Sequence, residues 1–195
     1  MERALDVQGR PLKRRLAMKQ RQSPRVSLFQ LLFLTRREPT PERVQVIWDR
    51  LRIARLAPED VNTSRDELIH LKNQAYLLKS RALLNRLTLC GPTVHEVNRL
   101  RVWLEEAGVQ LTDERTPDAP IDLTESELSE MLRAAYQREA LDYLAEARRR
   151  PTIPLVELVR DRFDRAGVDV TAVPTMFFLE LNELALRATL HDPTL

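Results

Sequence analysis

Three histidines, one cysteine and a few neighbouring carboxylates are the residues of this chain whose types could do chemistry. His70, His95 and His191 fall on separate predicted elements. None has a second ligand three or four residues further along the chain, the spacing that sets two ligands on one helix face, so no metal site is expected. Cys90 stands beside Gly91 at a predicted helix end with only His95 near it in sequence, and it reads as a structural thiol rather than a nucleophile. Glu105 with Glu106, and Glu125 with Glu127, belong to exposed helix faces or helix starts, where carboxylates favour the dipole and the cap. Acid–base catalysis would need them buried and opposed. Four isolated glycines cannot build a phosphate-cradling loop. The expectation is a protein without catalytic residues, metal or cofactor.

The elements that would carry these residues are helices. Hydrophobic residues make up 43% of the 195 and charged ones 31%, the balance of a folded, helix-rich chain. A single cysteine excludes an internal disulfide and favours a reducing cytoplasm. The polar, basic start lacks a signal peptide's apolar stretch, and the run from Leu28 to Leu34 is far shorter than the ~20 residues that span a bilayer, so no membrane partner is expected.

Net charge is only +2, but it is uneven. Before Val26 the chain carries Arg3, Arg10, Lys13, Arg14, Arg15, Lys19, Arg21 and Arg25 against Glu2 and Asp6. Residues 1–25 therefore read as a basic flexible arm, in which Lys13, Arg14, Arg15, Lys19 and Arg21 are candidate nucleic-acid contacts through phosphate screening.

Residues 26–108 read as an N-terminal domain of three to four helices, one of them long. Leu28, Leu31, Leu32 and Phe33 give the first helix, over 26–37, stopped by Pro39 and Pro41. Thr40 and Pro41 open the second, whose apolar face is Val44, Ile47, Trp48, Leu51 and Leu56, and Pro58 closes it. A third helix, capped by Thr63 or Ser64, runs to about Leu89 and ends at Gly91-Pro92. Along it Leu68, Leu71, Ala75, Leu78 and Ala82 alternate by three and four, the spacing of a coiled-coil seam. Ile69, Tyr76 and Leu83, and Leu77 and Leu84, repeat every seven residues on adjacent faces, so this helix needs partners on several sides. Thr93 and Glu96 form a capping box before Val97, Leu100, Trp103 and Leu104, and Gly108 ends that helix.

Residues 109–122 are polar, with Pro117 and Pro120, and read as a linker. In 123–195, Thr124 and Glu127 form a capping box for a helix through Leu128, Leu132, Tyr136, Leu141 and Leu144 to Arg150. Thr152-Ile153-Pro154 fits a brief extended piece, Leu155 to Ala166 a short helix stopped by Gly167, and Val173 to Ala188 a last helix beginning with Pro174. That order suits a C-terminal winged-helix-like domain with minimal β; a plain three-helix bundle would use the same spacing. The fold class expected is mainly α.

Two segments carry more than composition. Glu67 to Leu84 ends in YLLKSRALL, and Phe178 to Leu184 reads FLELNEL. Together they resemble segregation and condensation protein A, the bacterial kleisin subunit of the SMC complex, whose third helix ends in a stretch like LLEIKSRMLL and whose last winged-helix segment carries FLALLEL. Lys79, Ser80, Arg81, Leu83 and Leu84 match the first motif, and Phe178, Leu179, Leu181, Glu183 and Leu184 the second. Leu31 to Arg37 stands where the family has an LLxLIRK-like helix, and Ala140 to Val159 resembles its helix, extended IS and FEELF. The departures are Ser27-Leu28-Phe29-Gln30 in place of glycine-proline-leucine-aspartate, a short central linker, and His191 to Leu195 in place of the wing's glutamine and phenylalanine-glycine.

The resemblance implies a bridging subunit in chromosome condensation and segregation, cytoplasmic and nucleoid-associated. Its partners would be an SMC ATPase homodimer, a winged-helix accessory dimer that grips the middle region, and DNA indirectly or through the basic arm. The neck of one SMC subunit would meet Leu68, Leu71, Ala75, Leu78, Lys79, Arg81 and Ala82, with Ile69, Tyr76, Leu77 and Leu84 turned to the domain's own core. The head of the other would meet Phe178, Leu179, Leu181, Glu183 and Leu184. The competing readings are a winged-helix DNA-binding regulator and a helical adaptor of another assembly.

Overall fold

The computed structural model describes residues 24–170 and 176–191, with side chains over 28–170 and 177–190. The expectations for Lys13, Arg14, Arg15, Lys19, Arg21, Pro174 and the residues after His191 lie outside these. The described chain is mainly helical, with seven α-helices, one short 3-10 helix and no strand among the described residues. The helices are α1 (Pro24–Arg37), α2 (Pro41–Ala54), α3 (Arg65–Cys90), α4 (Val94–Glu106), α5 (Glu125–Arg149), α6 (Ile153–Arg165) and α7 (Met176–His191). The 3-10 helix, Pro58–Val61, lies between α2 and α3.

Local chemistry sets most of the helix ends. Thr40 caps α2 by accepting the Arg43 N–H, with Pro41 just inside the start. Ser64 does the same for α3, accepting the Glu67 N–H at 3.0 Å. Thr124 and Glu127 form a complete capping box on α5. At α4 only half of the expected box forms: Thr93 accepts the Glu96 N–H, but the Glu96 carboxylate takes the Thr93 hydroxyl and Arg86 instead of the backbone. Gly91 and Gly167, both at positive φ, stop α3 and α6.

The expected extended piece at 152–154 is not there. Thr152 alone is extended, as the residue ahead of α6, and Ile153 and Pro154 are its first two helical residues. Proline has no N–H to lose in a first turn, where that donor has no intrahelical partner anyway, so Pro154 starts this helix instead of delaying it.

Contacts divide the chain into two compact units, residues 1–76 and 77–195, so the division falls inside α3. The core of the first unit joins Leu28 and Leu32 of α1, Val44, Ile47 and Leu51 of α2, Val61, and Leu68 and Leu71 of α3. Each such side chain taken fully out of water stabilises the fold by about 1.5–3 kcal/mol relative to exposure.

The second unit holds two clusters. One gathers Leu83 and Leu87 of α3, Val97, Leu100 and Leu104 of α4, Ile121, Leu123, and Leu128 of α5. The other joins Ala140, Leu144 and Ala147 of α5, Val156, Val159 and Phe163 of α6, Val170, and Leu181 and Leu184 of α7. Between α4 and α5 the polar stretch 109–122 is strapped down: Val109, Leu111 and Ile121 pack on the first cluster, and Glu125 N–H donates to the Thr112 carbonyl at 3.2 Å. The sparse apolar residues of that stretch, together with the Val109 N–H and the Thr112 and Pro120 carbonyls, find partners within the unit.

Candidate partner-binding surfaces

The seam expected to face a partner along α3 divides in two. Leu68, Leu71 and Ala75 are buried, and Leu68 and Leu71 belong to the core of the first unit. Leu78 and Ala82 point to solvent, Leu78 with 45% of its surface exposed. The faces expected to turn inward divide as well: Ile69 is exposed, Tyr76, Leu77 and Leu84 are half-buried, and Leu83 is buried. The reason is helical phase. Leu68, Leu71 and Ala75 share the buried side of the helix, where Leu68 and Leu71 meet α1 and α2, and Ile69 lies off that side and is exposed. Past Tyr76 the side that holds Leu83 and Leu87 turns to α4 and α5, leaving Leu78, Ala82 and Leu89 as an outward stripe at spacings of four and seven.

Two of the three polar residues of the motif, Lys79 and Arg81, are engaged inside the second unit, and the third is buried there. The Lys79 ammonium lies over the Trp103 ring at 5.5 Å from its centre, with the Arg99 guanidinium 5.9 Å from the same ring. Ser80 is fully buried. Arg81 donates through Nε and Nη2 to the Pro120 carbonyl, at 3.1 and 2.6 Å, and so pins the strap to α3. Beside Arg81 a groove of 710 Å³ runs between α3, the strap and the start of α5, lined by Leu84, Asn85, Ile121, Glu130 and Met131 among others.

On α7 the motif splits in the same manner. Leu181 and Leu184 are buried against α5 and α6, and Phe178 is half-buried. Leu179 is 62% exposed and Glu183 is exposed, and with Leu186 and Leu190 they form one outward stripe. The neighbouring Glu180 is occupied: Arg148 of α5 grips it through two hydrogen bonds, of 2.5 and 3.0 Å, and holds its carboxyl below the usual range. Leu186 and Leu190 lie beyond the matched motif, yet their spacing of seven and eleven from Leu179 is legible in the sequence.

Among the described residues no group of three or more histidine, cysteine, aspartate or glutamate side chains could hold a metal ion. Cys90, His70 and His95 are exposed, and His95 contacts Arg99. No described helix is long and apolar enough to cross a membrane. No family model matches the chain, and neither a curated protein nor a solved structure matches it.

Proposed function

We propose that the chain is a kleisin-like bridging subunit of a condensin-type SMC complex, acting in chromosome condensation and segregation without catalytic residues of its own. The observation that carries this reading is the pair of apolar stripes outside the cores: Leu78, Ala82 and Leu89 on α3, and Leu179, Leu186 and Leu190 on α7. Each lies on a helix whose sequence holds one of the two kleisin-like motifs, and each helix has closed a core with its other side. Leucines left in water on two separate helices favour helical partners, since a helix laid along such a stripe buries it at three- and four-residue intervals.

In this proposal α3 meets the neck of an SMC subunit through the Leu78 stripe, while Leu68, Leu71 and Ala75 act indirectly by fixing the helix. The trio α5, α6 and α7 is the winged-helix-like domain that meets the head, through Leu179 and its neighbours. The DNA-regulator alternative is weaker on charge, because the exposed side of α7 offers Glu183 beside Arg187 and the Leu179 stripe to a phosphate backbone.

The test is co-purification of the full chain with an SMC protein from the same cell. Leu78→Glu with Ala82→Glu should abolish that association while leaving the thermal unfolding midpoint near that of the parent chain. Undiminished association, or absence of any SMC protein from the wild-type eluate, would refute the proposal. A salt-sensitive gel shift with duplex DNA and no SMC protein would favour the regulator.

A further inference from the structure

The outward stripes of α3 and α7 repeat one spacing. On α3, Leu78, Ala82, Asn85 and Leu89 follow at intervals of four, three and four, and all of them are exposed. On α7, Leu179, Glu183, Leu186 and Leu190 follow at the same intervals and are exposed as well. Alternating steps of four and three make the seam of a coiled coil, in which each side chain enters a gap on the facing helix. Both stripes lie in the second unit, and buried neighbours hold their helices in place, Leu83 and Leu87 for α3 and Leu181 and Leu184 for α7. Each stripe is therefore a preformed seam that lacks its second helix. Each also carries a single polar residue, Asn85 or Glu183, and neither is bonded to another described residue.

We propose that the α3 stripe of one chain pairs, antiparallel, with the α7 stripe of a second copy. In that register Leu78 faces the second copy's Leu190, Ala82 its Leu186, Asn85 its Glu183 and Leu89 its Leu179. Two layers set leucine on leucine, and one sets a small residue against a large one. The polar layer sets an amide donor against a carboxylate acceptor, so both polar groups are satisfied as they leave water. The other pairings of these stripes fail at that layer. Parallel α3 and α7 put Glu183 on Ala82 and Asn85 on Leu186. Two antiparallel α7 helices put each Glu183 on a leucine with the two carboxylates in adjacent layers, and two antiparallel α3 helices put Asn85 on Ala82. Lys79, Arg86 and Glu180 flank the seam but are held by Trp103, Glu96 and Arg148, so the seam itself sets the register. The contact joins unlike surfaces; two chains that close on each other make it twice, and chains that do not close grow into a row. Four layers place each contact at the weak end of protein interfaces. The proposal concerns the chain by itself and does not rest on the SMC reading, although an SMC subunit would compete for the same leucines.

The test is analytical ultracentrifugation of the purified full chain from about 1 µM to about 1 mM, where the average mass should rise with concentration. Leu89→Ser with Leu190→Ser, both at exposed positions, should weaken the association at least about tenfold. Asn85→Lys should strengthen it about fivefold by bringing an ammonium to Glu183, and adding Glu183→Lys to that chain should reverse the gain. The register is read by cross-linking in a Cys90→Ser background. Chains carrying Ala82→Cys and chains carrying Leu186→Cys should form a mixed disulfide on mild oxidation. Ala82→Cys with Leu179→Cys should not, because those positions stand two layers apart, beyond disulfide reach. A monomer at every concentration would leave both stripes to a different protein and overturn the proposal. Association untouched by the serine substitutions, or cross-linking as efficient out of register as in it, would overturn it as well. So would preferential cross-linking of Leu186→Cys chains with one another, which would pair α7 with itself. None of these readings involves an SMC protein, so this proposal and the proposed function can fail separately.

Discussion

Arg36 of α1 and Glu67 of α3 form a two-pronged ion pair inside the first unit, with Nε donating to Oε1 at 2.6 Å and Nη2 to Oε2 at 3.0 Å. The same Nη2 donates to the Asn62 carbonyl at 2.9 Å, and Glu67 Oε2 also accepts the Thr63 hydroxyl at 2.8 Å. One carboxylate thus ties α1, the approach to α3 and the first turn of α3 together. Parallel N–H to oxygen bonds fix orientation as well as distance, which a single lysine contact would not do.

That geometry has a pH signature. Hydrogen bonding to Arg36 holds the Glu67 carboxyl below its ordinary value, with Thr63 and the Ser64 cap adding to the effect. The unfolded chain therefore takes up this proton at higher pH than the folded one. The contribution is complete at neutral pH and is lost as pH falls through the lowered folded value. Both side chains are about a third or more exposed, so screening limits the pair to about 0.5–1 kcal/mol. Glu67→Gln should cost about that much in urea unfolding near neutral pH, and the two proteins should converge in acid, once the carboxyl is protonated in the folded state as well. A constant difference across that range would exclude the ionised pair as its source.

Ser80 makes a prediction of opposite sign. It is fully buried, and its Oγ has no hydrogen-bond partner among the described residues. A buried hydroxyl without a partner costs about 1–3 kcal/mol of desolvation, whereas alanine loses only one small atom and gains helix propensity. Ser80→Ala should therefore leave stability unchanged or raise it by about 1 kcal/mol, measured as a thermal midpoint. A clear loss of stability would mean that the hydroxyl is satisfied by an ordered water or a partner.

The exposed motif leucine of α7, Leu179, should separate cleanly from the core that Leu181 and Leu184 share with Phe163. Phe163 is buried, and its ring centre lies 4.9 Å from that of Phe177. Phe163→Ala should cost about 3–5 kcal/mol through lost transfer energy and the cavity left behind. Leu179→Ala, on the outward stripe, should change stability by less than about 0.5 kcal/mol while weakening any partner that covers it. Equal losses at both positions would mean that Leu179 is packed in the protein as well.

The stops and most of the caps were legible in the sequence because they depend on single residues: Thr40 with Pro41, Thr124 with Glu127, Gly91, Gly167. Three features were not. Pro154 looks like a breaker unless its place within the first turn is known. The stretch 109–122 reads as a linker because polar residues outnumber Val109, Leu111 and Ile121, yet these few side chains and the bonds from Arg81 hold it down. Helix α3 is apolar on several sides, so periodicity alone cannot say which leucine meets its own unit. Only the placement of the neighbouring helices buries Leu71 and exposes Leu78, seven residues on.

Gly91 offers a test in which two causes can be told apart. It follows the last residue of α3, its N–H donating to the Leu87 carbonyl at 2.9 Å, and its φ of +82° lies in the left-handed region that side chains disfavour. A Cβ added there would also come within 3.3 Å of an Arg138 guanidinium nitrogen. That nitrogen ends a flexible side chain and can yield, but the backbone angle cannot without undoing the helix stop ahead of Pro92. Gly91→Ala should therefore cost about 1–2 kcal/mol, nearly all of it from the backbone. The cost should persist when Arg138 is itself alanine, and Gly91→Asn should be milder, since asparagine tolerates this conformation better. Full rescue by Arg138→Ala would place the cost in the steric contact instead.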